Sequence, residues 1–436
     1  MKKKKNLNKK GLRNLLPPLN VFFFKLCILF FLSPQHFLST KAFSNLEDSP
    51  KDLKLLTKSR LFLSKGEIER SIKILNELEK KYFPHADIAL LKAQALQRRG
   101  QWHLALKNVE LLEKYYPENE DLSLAKKNLL KEHSPFLKLL GSIERYRRLA
   151  AFQHYETTGF LSLNKQRLLF PLYLSFLLKE THGHIRSIIK SDGRKEGFKG
   201  EKKQGRISLH REGENGSRFI LSGYLSDQRP GLEASYQHYD FSGWNIFRLF
   251  WKRPHWELLE TFVGEGCQDA IGFERFHRFG KRLSAHLKLG ANHYNLRDIP
   301  KAASSFLFNC SAYYFFLLDN PTLNMGYSFD GEYIEKKTRK KDSFGKDFFP
   351  LPIDTRNFHT IHLEGFYKCR NKLIFRSLIG YSFDQKGKGN ASFLISMRYK
   401  IKDTLESLME HSHQLSKNSG QTSDVNKSKA SILWYF

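Results

Sequence analysis

The sequence predicts an α + β chain: a short N-terminal domain of helical repeats followed by a transmembrane antiparallel β-barrel of about 14–16 strands. Three observations carry this. Apolar residues recur at the helical period from Lys51 to about His133, and then alternate with period two over most of the remaining 300 or so residues. The alternation is clearest from Lys372 to Ile401, where Ala391, Phe393, Ile395, Met397, Tyr399 and Ile401 share one parity and Ser392, Ser396, Arg398 and Lys400 the other. Successive strand side chains point to opposite faces, so this describes a ribbon apolar on one side and polar on the other. The last residues, Ile432, Trp434 and Phe436, alternate up to a terminal aromatic.

Residues 1–44 read as an export signal. Lys2 to Lys5, Lys9, Lys10 and Arg13 form a basic n-region, Val21 to Leu32 a short apolar core, and Ala42-Phe43-Ser44 a small-residue cleavage site before Asn45. The apolar run is short for a membrane span, which needs roughly 20 residues. Cys27 lacks the small residues that a lipidation site wants before it. A mean hydropathy of -0.50 excludes a bundle of membrane helices but not a barrel, whose strands are only half apolar. The signal holds nine Lys or Arg and no acid, leaving +20 of the chain's +29. That charge points to acidic lipid headgroups or an anionic ligand; export and the lack of any nucleic-acid-binding module argue against nucleic acid. Cys267, Cys310 and Cys369 are odd in number and widely spaced, which is neither a disulfide framework nor a zinc site.

In residues 45–134 two segments align at a fixed offset. Lys65-Gly66-Glu67-Ile68 leads through Ser71 to Pro84, and Arg99-Gly100-Gln101-Trp102 leads through Ala105 to Pro117. Gly66 to Gly100 is a 34-residue period. The glycines turn the chain between paired helices, Ile68 or Trp102 plugs the next groove, Ser71 or Ala105 lets the helices cross closely, and the prolines end the second helix. Leu122 to Leu130 supplies a closing helix. These residues resemble the tetratricopeptide family, and the resemblance implies that the helices hold a partner protein or gate a path. Two repeats need capping or docking, so the unit should lean on the strand-rich region after it.

Residues 135–436 are the expected barrel. Strands are expected near 168–177, 206–210, 218–225, 231–240, 244–251, 268–278, 282–292, 303–317, 323–333 and 357–367, with turns at residues 213–216, 240–243, 279–281, 319–321 and 385–390. Segments of about 10 alternating residues joined by turns are the signature of an outer-membrane barrel. The 37 Phe and 18 Tyr suit a lipid face with interfacial girdles. An outer loop at Glu335–Arg356 conflicts in parity with a sixteen-strand count ending at Phe436. Either the barrel closes near Ile401, or Lys402–Ala430 is a long outer loop and Ser431–Phe436 the final strand; the second is the expectation.

No nucleophile motif, phosphate loop or paired metal-ligand spacing occurs, and no cofactor is expected. His182 with His184 and His411 with His413 share a strand face, but loop or lumen positions explain them better than a metal. Glu257 and Glu260 fit a solvated face better than an acid–base pair. The polar parity of a barrel faces the lumen, so Arg206, His210, Arg282, His286 and Lys288 are pore-lining candidates, together with Asp330, Glu332, Arg376, Arg398 and Lys400. An open, mainly basic lumen would favour anionic or neutral sugars; mutual neutralisation of these charges inside a plugged barrel is the equal alternative.

An export signal, tetratricopeptide-like repeats and a barrel of this size together resemble the exopolysaccharide export porins that secrete Pel, poly-N-acetylglucosamine or cellulose. Arg253-Pro254-His255-Trp256-Glu257 with Glu260 and Gly264 is similar to a Pro-Trp-acid phrase of the Pel-type barrel, and Gly380-Tyr381-Ser382-Phe383-Asp384 to that family's closing hairpin. The terminal Ile432-x-Trp434-x-Phe436 resembles the insertion signal of outer-membrane barrels. The resemblance implies a Gram-negative outer-membrane secretion porin that exports polysaccharide passively, with its helices in the periplasm docking periplasmic or inner-membrane secretion proteins. The same layout resembles the surface lipoprotein assembly modifiers, which implies movement of lipoproteins instead.

Overall fold

The computed structural model describes residues 49–436 except 66, 164–171, 191, 214–216, 227–228, 241–242, 370–371, 385–386, 388 and 419–420. The expected export signal, with Cys27, lies outside the described residues, as does Gly66. Five helices come first among the described residues: α1 (Pro50–Lys65), α2 (Ile68–Tyr82), α3 (Ala86–Arg98), α4 (Trp102–Glu113) and α5 (Glu120–Glu132). Small side chains let α1 and α2 cross closely, with Ser59 and Ser71 both fully buried and their hydroxyls 2.8 Å apart. Ala105 is fully buried in the same way on α4. Gly100 turns the chain between α3 and α4 at φ 81°, a conformation that costs glycine little. Asn119 caps α5 by accepting from the Leu122 amide at 3.1 Å. No described helix is long and apolar enough to cross a membrane.

Sixteen strands come next, all antiparallel to their neighbours, each paired with the next and the last with the first. They are β1 (Phe136–Tyr146), β2 (Ala150–Ser162), β3 (Leu172–Ile189), β4 (Lys195–Glu212), β5 (Arg218–Ser226), β6 (Pro230–Asp240), β7 (Gly243–Pro254) and β8 (Cys267–Phe279). Then come β9 (Leu283–Leu296), β10 (Ile299–Leu317), β11 (Thr322–Lys337), β12 (Arg356–Cys369), β13 (Leu373–Asp384), β14 (Gly389–Lys402), β15 (Leu405–Asn418) and β16 (Gln421–Tyr435). The ladder between β1 and β16 runs from Phe136↔Tyr435 to Tyr146↔Val425, so the sheet has no free edge.

The expected long loop at Lys402–Ala430 is corrected by the structure: that stretch is β15 and most of β16. Its alternation is faint because the outer face of these strands is polar in part as well, as at His411, His413, Asn426 and Ser428. With those strands in place the parity conflict disappears. Residues 338–355 connect β11 to β12 at the rim opposite the helices and carry a small hairpin pairing Lys340–Lys341 with Asp347–Phe348. Ile432, Trp434 and Phe436 lie on the outer wall of β16, more than half exposed, and the Phe436 amide donates to the Pro135 carbonyl at 3.0 Å.

The two walls differ as an outer-membrane barrel requires. Leu178, Ile207, Leu225, Ile271, Ile379 and Ile395 stand exposed on the outer wall, while small or polar residues such as Ser208, Ser222, Ser235, Ser284 and Asn324 are buried on the inner one. The first and last strand ends meet at one rim, and the helices lie against it. Lys131 of α5 pairs with Glu406 of β15 at 2.6 Å, and Lys127 pairs with Asp403 in the β14–β15 turn.

Candidate functional site: the barrel lumen

The lumen is shaped by the β7–β8 connection, which turns inward rather than away. At the end of β7 the register slips between Phe250 and Arg253, with Lys252 at φ 49° and its amide donating to Asp269 Oδ1 at 2.7 Å. Bulges of this kind re-aim the chain beside functional sites. Residues 255–266 then form a strap holding one short helix, α6 (Leu259–Val263). Phe262 of the strap is fully buried, edge-on to Phe152 of β2 at 5.2 Å and Phe198 of β4 at 5.9 Å. Leu259 joins Ile185 and Ile188 of β3 in the same cluster. Gly183 of β3 makes room for it, since a Cβ there would run into the Phe262 ring. The strap's other end is fastened by Glu265, which accepts from Lys202 at 3.0 Å and pairs with Arg297 at 3.2 Å. The buried His255 ring packs against Tyr294 of β9 at 5.2 Å.

Against the strap lies a cavity of about 1030 Å³, which Trp256 and Glu257 help to line. A second cavity of about 880 Å³ adjoins it, and Asp330, Arg356, Lys427 and Lys429 line both. Charges on this wall are compensated around its circumference. Lys427 meets Glu144 at 3.0 Å, Arg248 meets Glu274 at 3.0 Å, and Arg376 meets Glu364 at 2.6 Å. Lys429 and Glu410 also pair.

Most of the pore-lining candidates lie on this wall, and several are paired there. Arg206, Lys288, Asp330 and Glu332 line the first cavity and Asp330 and Arg376 the second. The Arg206 guanidinium lies 6.0 Å over the Tyr224 ring. His286 contacts Glu274 at 2.8 Å, Glu332 accepts from Tyr294 at 2.6 Å, and Asp330 pairs with Arg356 at 3.5 Å. His210 contacts Ser175 at 2.8 Å near the helix-bearing rim. Arg398 shares the parity of the buried Ser392 and Ser396, and Lys400 pairs with Asp403 at 2.6 Å. Arg282 stands in the turn before β9 rather than on a strand. Of the two charge readings, which stood at equal weight, these ion pairs fit mutual neutralisation.

At the helix-bearing rim the inner wall carries aromatics: Phe136, Phe160, Tyr173, Trp244, Phe276 and Phe315 all sit within three residues of strand ends. Phe136 stacks on Phe160 at 5.6 Å and Phe160 on Tyr173 at 5.1 Å. Trp102 extends this row from the helices. Expected to plug a groove between helices, it stacks on His133 at 4.0 Å and also donates from Nε1–H to the buried Glu212 of β4 at 2.7 Å. Glu212 holds Arg218 of β5 through its other oxygen. Burial pulls the His133 imidazole down to about 4, the charge of Arg218 opposing protonation and that of Glu212 favouring it.

Sequence patterning missed three things: the inward fold of the strap, the aromatic inner rim, and the carboxylates Glu144, Glu274, Glu364 and Glu410 that answer the basic wall. The last were accessible by parity once each strand was placed. Glu257 and Glu260 part company, Glu257 with its side chain 76% exposed and Glu260 buried. His411 and His413, expected in a loop or the lumen, lie instead on the outer wall of β15, bonded to Ser428 at 2.9 Å and Asn426 at 2.8 Å. His182 contacts Glu180 at 3.0 Å on that wall, and Glu201 lies near enough for the three to offer ligand atoms together, but Lys203 stands 3.4 Å from Glu201 as a competing cation.

No protein-family model matches the chain, and no curated protein does. Solved structures do. A bacterial polysaccharide outer membrane secretin is 9% identical with a TM-score of 0.50, covering 70% of this chain and 99% of that one. Pseudomonas putida OprB at high pH is 8% identical with a TM-score of 0.40, covering 72% and 97%. The first likeness is one of fold, and the fold it shows is that of an outer-membrane β-barrel.

Proposed function

We propose that this chain is an outer-membrane secretion porin that passes a polysaccharide passively, its helices standing at the periplasmic mouth and docking partner secretion proteins. One observation carries the reading: the lumen is closed against lipid, lined by compensated charges and polar groups, and narrowed by a strap that presents an aromatic ring and a carboxylate. A hydrated polymer needs hydrogen-bonding partners along its path and no net field that would trap it. Compensation removes the argument for an anionic polymer and favours a neutral one. Transport by diffusion asks no catalytic step of the wall. The polysaccharide secretin whose fold it shares is in keeping with this reading.

Purified protein in planar bilayers should conduct ions and be blocked by a neutral polysaccharide added on the helix side. Recovery of the protein in the soluble fraction, with no conductance, would overturn the reading. Conductance that no polysaccharide blocks, with a lipoprotein bound instead, would favour a lipoprotein assembly modifier.

A further inference from the structure

We infer that Trp256 and Glu257 of the strap form a sugar-reading subsite for a neutral pyranose unit of the transported chain. The inference rests on the proposed polysaccharide path and adds where along it the polymer is recognised. Trp256 follows directly on the anchored His255, and its ring is held edge-on to Phe262 at 6.4 Å. That contact fixes the indole from one side while the residue still lines the lumen. An immobilised indole face offers the flat apolar surface on which the axial C–H groups of a pyranose rest, at little entropic cost because the ring is already ordered.

Glu257 is the neighbouring hydrogen-bonding partner. Its side chain is 76% exposed, which inside this barrel means that it faces lumen water. Arg253 approaches it at 3.7 Å and His255 at 3.8 Å, which keeps the carboxylate beside the ring. An ionised carboxylate has about four acceptor positions, so it can hold such neighbours and a sugar hydroxyl together. A stacking face beside an ionised acceptor suits the hydroxyls of a neutral sugar. It disfavours a uronate, whose own carboxylate would face Glu257. Ring and carboxylate are carried by a segment whose docking consumes Phe262, Leu259 and Gly183, so both are held in place before a ligand arrives.

The test uses the full-length protein in planar bilayers, blocked from the helix side by a cello-oligosaccharide or by an oligouronate of equal length. Wild type should be blocked by the neutral oligomer at lower concentration than by the acidic one. Trp256→Ala should raise the half-blocking concentration of the neutral oligomer about tenfold, the worth of one aromatic contact, while Trp256→Phe retains most of it. Glu257→Gln should narrow the discrimination against the oligouronate. If wild type is blocked and all three variants behave as wild type, the subsite is wrong and the porin reading stands. If wild type conducts but is blocked by neither oligomer, the subsite is rejected; absence of conductance, with the protein in the soluble fraction, is the result that overturns the porin reading. A fold control comes from Trp256→Phe: if it alone loses the barrel's resistance to denaturation by detergent, the ring is structural and the subsite is rejected.

Discussion

Trp102 and Glu212 are 110 residues apart in sequence and are joined by a 2.7 Å hydrogen bond from the indole N–H to a buried carboxylate. The bond ties α4 to β4. Glu212 keeps Arg218 when Trp102 is lost, so Trp102→Phe, which retains the stack on His133, should loosen the helices by about 1.5–3 kcal/mol, the usual worth of a hydrogen bond to a charged group. Limited proteolysis should then cut between α5 and β1 faster than in wild type while the barrel stays intact on gels run without boiling.

The docking should also respond to acid. The ordinary histidine value lies near 6.5 and the docked His133 near 4, so the undocked state binds the proton more readily between those values. The stabilisation is present above 6.5 and is lost as pH falls from there towards 4. Melting of the helices followed by circular dichroism should track this window, and His133→Phe should weaken the dependence, leaving the part due to His85, which burial also lowers.

A second, lower window belongs to Asp52. Hydrogen bonds from Lys81, Tyr82 and Ser49 hold its carboxyl at about 2, below the ordinary 3.8. The stabilisation it gives to the packing of α1 on α2 is present above 3.8 and lost as pH falls towards 2. Between pH 4 and pH 3, Asp52→Asn should lose less melting temperature than wild type, whose Asp52 takes up its proton there on unfolding.

Phe262 fastens the strap. Phe262→Ala should weaken strap docking by about 3–5 kcal/mol, the cost of truncating a buried phenylalanine, while leaving the strand ladders untouched. Gly183→Ala should displace the same ring from the other side, its new methyl overlapping the ring edge. Both variants should raise single-channel conductance and add flicker; unchanged conductance would show that the strap does not bound the ion path.

Lumen charge is balanced by pairs, so it can be tipped. Lys427→Gln with Lys429→Gln leaves Glu144 and Glu410 without these lysine partners. Reversal potentials under a salt gradient should move towards cation selectivity, from near neutrality in wild type.

Much of this fold is legible in the sequence, for identifiable reasons. Strands such as Leu283–Leu296 and Gly389–Lys402 alternate cleanly because one face meets lipid and the other water over most of their length. β15 and β16 do not, since His411, His413, Asn426 and Ser428 put polar groups on the outer wall as well. β1 is hidden by the opposite fault: Phe136 and Leu140 stand on its inner parity, so Phe136-Leu137-Lys138-Leu139-Leu140 does not alternate. The strap is invisible because nothing local says which way a loop turns. Phe262 and Gly183 are far apart in the chain, and only the closed sheet brings them together.

The helices are held at Glu212 on β4 and at Asp403 and Glu406 beside β15. Between those anchors, going round the wall, lies the junction where β16 meets β1. The helices therefore form a clasp across the one joint in the cylinder made by strands distant in sequence. Unzipping would start most easily at that joint, and the clasp must be released before it can part. Its contribution should accordingly appear in how slowly the barrel comes undone, more than in how stable it is at equilibrium.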